Sequence, residues 1–322
     1  MDCSKSVEFL GIDVHKNTLV LDGRSLKLNV AKELANDQSG FETLIRALGK
    51  SPYCIQVVFE ATGNYHLPLA LALWQAQVPL SIVNGARVRQ FANALGRAKT
   101  DAIDQELIRR FAESIKPAAQ PAPSATMREL QQIVSRRLDL VASRVREQNR
   151  LGQCLHQTIK KQLKMSIEFL DKQLKQLDKL MRELVSAEPE LEAKVALLMK
   201  TDGVGFLTAV ELLVVLPEMG QLNRRQISRL AGVAPVNNDS GKGKHKRFLG
   251  KGRAIGPILY MAALTATRYN VVLKAFYQRL LNRGKPKKVA LAAVMHKLLI
   301  YLNSVLKDFA TQSSQPVPAQ AG

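Results

Sequence analysis

The sequence predicts an α/β domain, then a pair of long helices, then a mainly α-helical C-terminal domain. Three observations predict it. Residues 7 to about 115 alternate short apolar runs with helical stretches, a proline-interrupted segment follows, and beyond it apolar residues recur every three to four positions. The boundaries drawn are 1–115 for the α/β domain, 116–125 for a linker, 126–190 for coiled-coil or dimerisation helices, 191–310 for the helical domain and 311–322 for a disordered tail.

In the first region, strands are expected near residues 8–13, 17–22, 26–30, 54–60 and 80–83, each a short apolar run bounded by turn residues. Ser39-Gly40-Phe41-Glu42 has the spacing of a capping box and opens a helix through Leu48, and Arg87 to Leu95 reads as the helix after the last strand. The segment Lys116-Pro117-Ala118-Ala119-Gln120-Pro121-Ala122-Pro123-Ser124 reads as a stiff linker. From Met127 to about Ala187 the chain is helical, and Leu163, Ile167, Leu170, Leu174, Leu177, Met181 and Leu184 alternate spacings of four and three, a heptad seam. A hairpin within the chain and a coiled coil between subunits both fit that seam, and the small core of a lone hairpin favours dimerisation. Farther on, the turn around Gly203 and Gly205 resembles a helix-hairpin-helix turn, whose glycines offer backbone N–H groups to a phosphate. A glycine-rich basic loop from Ala231 to Arg247 leads through Lys251 and Arg253 to a helix from about Pro257.

Four carboxylates stand where elements end in turns. Asp13 closes the apolar run Phe9-Leu10-Gly11-Ile12, Glu60 closes Ile55-Gln56-Val57-Val58-Phe59, and Asp101 and Asp104 stand three apart at the start of a helix, on one face of its first turn. Singly, each has an ordinary use as a turn residue or a complement to a helix dipole. Jointly, they are hard oxygen donors of the kind that hold Mg²⁺ (or Mn²⁺), and two such ions about 4 Å apart can activate a nucleophile and stabilise a leaving oxygen at phosphorus. His15 and Lys16, and Asn64 and Tyr65, flank the first two acids as candidate substrate contacts.

Composition points to the substrate. Of 322 residues, 47 are Lys or Arg and 27 are Asp or Glu, a formal net charge of +20 that calls for a polyanionic partner. Residues 240 to 307 hold 15 Lys and Arg and no acid, among them Lys242, Lys244, Lys246, Arg247, Lys251, Arg253, Lys285, Lys287 and Lys288, which are the candidate nucleic-acid contacts. The long helical segment adds a basic face with Arg136, Arg137, Arg144, Arg146, Arg150, Lys160, Lys161 and Lys164. The three cysteines, Cys3, Cys54 and Cys154, are too few and too widely spaced to announce zinc or disulfides. No signal-type segment opens the chain, and apolar runs such as Phe206 to Leu216 are too short or too interrupted to span a bilayer, so a cytoplasmic protein with no membrane partner is expected.

Four motifs, Gly-Ile-Asp-Val-His-Lys, Phe-Glu-Ala-Thr-Gly-Asn-Tyr, Lys-Thr-Asp-Ala-Ile-Asp and Ala-Gly-Val-Ala-Pro followed by Asp-Ser-Gly, together resemble the DEDD transposases of bacterial insertion sequences. That family includes the Piv DNA invertase and the recombinases guided by a bridge, or seek, RNA. The resemblance runs from about residue 8 to 308 and implies a RuvC-like domain of the RNase H fold, a coiled-coil connection and a helical transposase domain. By position it makes Asp13, Glu60, Asp101 and Asp104 the Mg²⁺-binding tetrad and Ser240 the nucleophile that attacks the scissile phosphate. It further implies target and donor DNA and a noncoding guide RNA as partners, and a dimer or tetramer in which the acidic domain of one protomer meets the serine domain of another. The loop around Ser240 is more basic than the family pattern, through Lys242, Lys244 and His245. Tyr260 and Tyr269 are rival nucleophiles, placed in partly apolar helical stretches where core packing is expected. An invertase that needs no guide RNA, a RuvC-like nuclease that uses water, and a silent nucleic-acid binder are the alternatives.

Overall fold

A computed structural model describes residues 7–51, 54–61, 65–95, 104–236, 248–249 and 255–313. The chain divides into two compact units, residues 1–123 and 124–322.

The first unit is built on a mixed five-stranded sheet. Its strands are β1 (Glu8–Val14), β2 (Thr18–Leu21), β3 (Glu33–Ala35), β4 (Ile55–Glu60) and β5 (Leu80–Val83), in the order β3-β2-β1-β4-β5. β1 runs antiparallel to β2 and parallel to β4, and β4 parallel to β5. Helices α1 (Gln38–Gly49), α2 (Leu67–Gln75), α3 (Gly85–Ala94) and α4 (Gln105–Ile115) cover the sheet. Alternation along β1 sorts its side chains: Leu10, Ile12 and Val14 enter a core with Phe41 and Leu44 of α1 and Leu69 and Leu73 of α2, while Phe9 joins a second core with Val88 of α3 and Leu107, Ile108 and Phe111 of α4. Residues of β1 and β4 are apolar on both faces because both faces are covered.

Three local expectations need correction. The strand expected at 26–30 is instead a 3₁₀ turn at Gly23–Leu28, and Asn29 then takes a left-handed φ of 51°, which ends any extension; the third strand lies later, at β3. Asp37 caps α1 by accepting from the Gly40 N–H, so the capping box read at Ser39 is displaced by two residues. Cys54 is disulfide-bonded, with its partner outside the described residues, a bond that the wide spacing of the cysteines does not announce.

The segment after α4 is fastened to the sheet. Gln120 donates its backbone N–H to Leu80 O, accepts from Ile82 N through its side-chain oxygen and donates back to Ile82 O, while Ser81 and Gln56 side chains reach the carbonyls of Ala118 and Pro117. It therefore covers the edge of β5.

Gly11 is where β1 and α4 touch. A Cβ there would overlap the Gln105 carbonyl oxygen and lie 2.8 Å from Arg109 N. Gly11→Ala is expected to cost about 2–3 kcal/mol, since neither the strand nor the helix backbone can yield independently. Urea denaturation checks this, and an unchanged midpoint would show that α4 is free to shift.

The second unit is helical. Long helices α5 (Ala125–Gln153) and α6 (Gln157–Ser186) form an intramolecular hairpin, followed by α7 (Pro189–Met199), α8 (Phe206–Val215), α9 (Arg224–Leu230), the short strands β6 (Pro235–Val236) and β7 (Phe248–Leu249), and α10 (Gly256–Tyr269), α11 (Val271–Asn282) and α12 (Lys287–Ser313). Leu130 and Val134 of α5 and Met181 and Val185 of α6 join one core with α7 to α12, so the base of the hairpin is part of the helical domain. Arg137 ties the layers together, bonded to Asp178 of α6 and Glu211 of α8, and Arg144 pairs with Asp171. These two arginines belong to the packing of the hairpin, whereas Arg136, Arg146, Arg150, Lys161 and Lys164 are exposed. One described helix, Lys287–Gln312, is long and apolar enough to cross a membrane; half of its most apolar stretch is buried, with Leu291, Val294, Leu298, Leu299 and Leu302 in the core. It also carries the chain to Ser313, so Thr311 to Ser313, expected in the tail, are helical.

Candidate active site

Asp13 and Glu60 lie on one face of the sheet at the carboxyl ends of two adjacent parallel strands. The register pairs Ile12 with Phe59, so the acids that follow are neighbours across the ladder. Their face is set by alternation: Val58 and Phe9 enter the core beneath α3 and α4, and Glu60 and Asp13 point to the same side. Asp104 arrives from α4. It is the N-cap of that helix, its Oδ1 accepting from Leu107 N at 2.7 Å, rather than a residue of the first turn. Because Gly11 lets α4 lie against β1, this cap stands close enough for its charge to act on Asp13.

Electrostatics record the crowding. Burial raises the pKa of Asp13, Asp104 raises it further, and His15 and the Val14 N–H oppose the rise. Burial likewise raises Glu60, with Arg89 of α3 opposing and Asp13 adding repulsion. His15 Nε2 lies 3.3 Å from Asp13 Oδ2, and the Glu60 carboxylate lies over Gly85, where any Cβ would overlap it. Asp13 and Glu60, whose proton affinity is raised, are hard oxygen donors, and a divalent cation would relieve the same repulsion that a proton relieves. Among the described residues no group of three or more His, Cys, Asp or Glu could hold a metal ion, and Asp101 lies outside those residues.

Beneath the acids is a fourth carboxylate that the sequence reading passed over. Asp22, fully buried just after β2, accepts from Gly11 N at 2.7 Å and stands 3.5 Å from Arg109 Nε, while Arg109 also grips Glu113. An acid closing an apolar run is the same signal that marks Asp13 and Glu60. Here its partners are a backbone N–H and an arginine, so it braces β1 against α4.

Lys16 and Tyr65 are exposed in the first unit, and the other candidates lie in the second unit or outside the described residues. Ser240, Lys242, Lys244, Lys246, Arg247, Lys251 and Arg253 are outside, as is Asn64. Lys285, Lys287 and Lys288 are exposed around the α11–α12 turn. Gly203, at φ 98°, packs against α10, where a Cβ would lie 2.7 Å from Ala266 N, so packing already explains its glycine; Gly205 caps α8 with open space around it. Tyr260 and Tyr269 are 42% and 68% exposed, contrary to the core packing expected, because α10 buries the face of Leu259, Ala262, Ala263 and Ala266 instead.

Residues 10–160 match the DEDD family of IS110 type, described as a transposase, and residues 195–278 match the family described as Transposase IS116/IS110/IS902. The chain belongs to the IS110 family of transposases. It is an enzyme of DNA recombination. The transposase is also 29% identical to a pilin gene-inverting protein of Moraxella lacunata over 94% of its own length and 97% of that protein's. It is 28% identical to a pilin gene-inverting protein of Moraxella bovis over the same shares.

Proposed function

We propose that this transposase cuts and rejoins DNA through a phosphoserine intermediate, using a RuvC-like acidic site and a serine carried by the other unit. The juxtaposition of Asp13 and Glu60 at adjacent strand ends, with the Asp104 cap close enough to act on Asp13, is the observation that carries the reading. Asp13, Glu60, Asp101 and Asp104 would hold Mg²⁺ or Mn²⁺, which when bound supplies charge neutralisation at the scissile phosphate and lowers the barrier to attack on it. The chain's own chemistry falls to Ser240. Its Oγ forms a bond to phosphorus as the bond to the leaving sugar oxygen breaks, the hydroxyl proton passing to a base and the leaving oxygen taking up a proton. Rejoining reverses the step: a sugar hydroxyl attacks the phosphoserine and the serine hydroxyl returns. One phosphodiester is exchanged for another ester, so no ATP is required.

A noncoding RNA is the proposed guide, since the +20 charge exceeds what one duplex contact requires and the basic residues spread over both halves of the second unit. The Moraxella relatives, pilin gene-inverting proteins by name, favour a second reading, DNA inversion, a reaction that does not itself call for a guide. Purifying the transposase from its native cell and sequencing any bound nucleic acid separates them: a discrete co-purifying RNA supports guidance, and its absence supports the invertase.

We also place self-association on the free part of the hairpin. The heptad seam is spent mainly within the chain, against α5, so Leu170 and Leu177 are half-buried there. Met165 and Phe169, 67% and 60% exposed, form a separate strip on α6 beside Ile159. Replacing Met165 and Phe169 with Lys is expected to lower the oligomer mass in light scattering without loss of helicity. A wild-type monomer at all concentrations, with and without nucleic acid, would remove the basis for this interface.

A further inference from the structure

A pocket of about 420 Å³ opens between α9 and α12 in the second unit, and none of its lining residues has been given a role so far. Arg224, Arg225 and Arg229 of α9 line it, with Ala234 before β6 and His296 and Ile300 of α12. None of its lining residues is acidic. Arg225 and Arg229 stand four apart on one helix face, and such like-charged pairs disfavour a helix unless an anion neutralises them. Three exposed guanidiniums around one cavity offer planar forks that match phosphate oxygens two at a time. Burial lowers the pKa of His296, so this wall adds a neutral hydrogen-bonding ring to the cationic rim.

We propose that this pocket binds a backbone phosphate of nucleic acid close to the phosphate that is cut. Its charge selects an anion, and its volume suits a phosphate with its sugar. Its place in the chain gives it a role. Ala234 lies six residues before Ser240, and six residues span at most about 20 Å, or three nucleotide steps. The pocket therefore grips the strand within a few phosphates of Ser240; this placement, though not the binding itself, rests on the Ser240 reading. Recognition of the phosphate is independent of base identity and fixes the register of the strand.

Binding of mixed-sequence duplex DNA, single-stranded DNA and single-stranded RNA to wild type and to the Arg225→Gln, Arg229→Gln double variant, across a salt series and without divalent metal, tests the assignment. On at least one of the three probes affinity should fall by about tenfold or more and the slope against log salt by about one to two units. Whichever probe responds identifies the source of the phosphate. In wild type, that probe should also shift the ring resonances of His296, assigned through the His296→Gln variant. Unchanged slopes on all three probes, or a His296 ring that stays put at saturation, would overturn the pocket. No cleavage occurs in this assay, so a missing protein–DNA adduct would defeat the Ser240 reading and leave the binding result standing.

Discussion

Asp13→Asn is expected to reduce DNA strand cleavage by about 10³-fold or more, the scale of several kcal/mol that a positioned metal contributes to phosphoryl chemistry. Nucleic-acid binding should stay near wild type, because the basic residues proposed to carry it lie in the second unit. The same substitution carries a stability signature of opposite sign. Asp13 and Glu60 have raised pKa values in the folded protein, so their contribution to stability is present below the unfolded pKa and is lost as pH rises through the folded one. In metal-free buffer at neutral pH the charged cluster works against the fold, and Asp13→Asn should raise the melting temperature there. Added Mg²⁺ should raise the wild-type melting temperature and leave the variant's nearly unmoved. Cleavage at a near wild-type rate, or an equal Mg²⁺ response in both proteins, would refute the acidic site.

Ser240→Ala is expected to eliminate both the covalent protein–DNA adduct and strand rejoining. A hydrolase would lose the bond energy to water, whereas the serine ester retains it, so this one oxygen decides between recombinase and nuclease. Removing one oxygen from a polar, glycine-rich stretch of sequence should cost little stability. The measurement is incubation with labelled target DNA and Mg²⁺, a detergent quench, and a search for DNA that migrates with protein. An adduct of undiminished yield would move the nucleophile elsewhere. Tyr269 and Tyr260 then come first, since both hydroxyl-bearing rings are exposed on α10 and open to a strand.

Asp13 and Glu60, which the sheet sets side by side, were legible as candidates because each interrupts a pattern. Asp13 and Glu60 end runs that are otherwise apolar, and an ionised group beside a core must be partnered or used. That signal has no way to separate use from bracing, which is why Asp22 looks the same in sequence and differs only through Gly11 and Arg109. The 26–30 strand was misread because Leu28 and Val30 do pack against the core, from a turn instead of a strand. Tyr260 and Tyr269 were misread because α10 is apolar on more than one side, leaving periodicity a poor guide to which side is covered. Helix α9 and His296 meet only through tertiary packing, so no local pattern foretold the arginine pocket.

The docking of residues 117–120 onto β5 bears on how the chain can be divided for expression. The sheet has two margins, and β3 defends one by being only three residues long. The other is defended by a passage of chain that, by composition, reads as dispensable spacer. A fragment stopped at Ile115 would bare the backbone of Leu80 and Ile82 to any extended peptide, including another copy of itself, and invite edge-to-edge aggregation. A fragment carried through Pro123 keeps its own cover and remains dispersed.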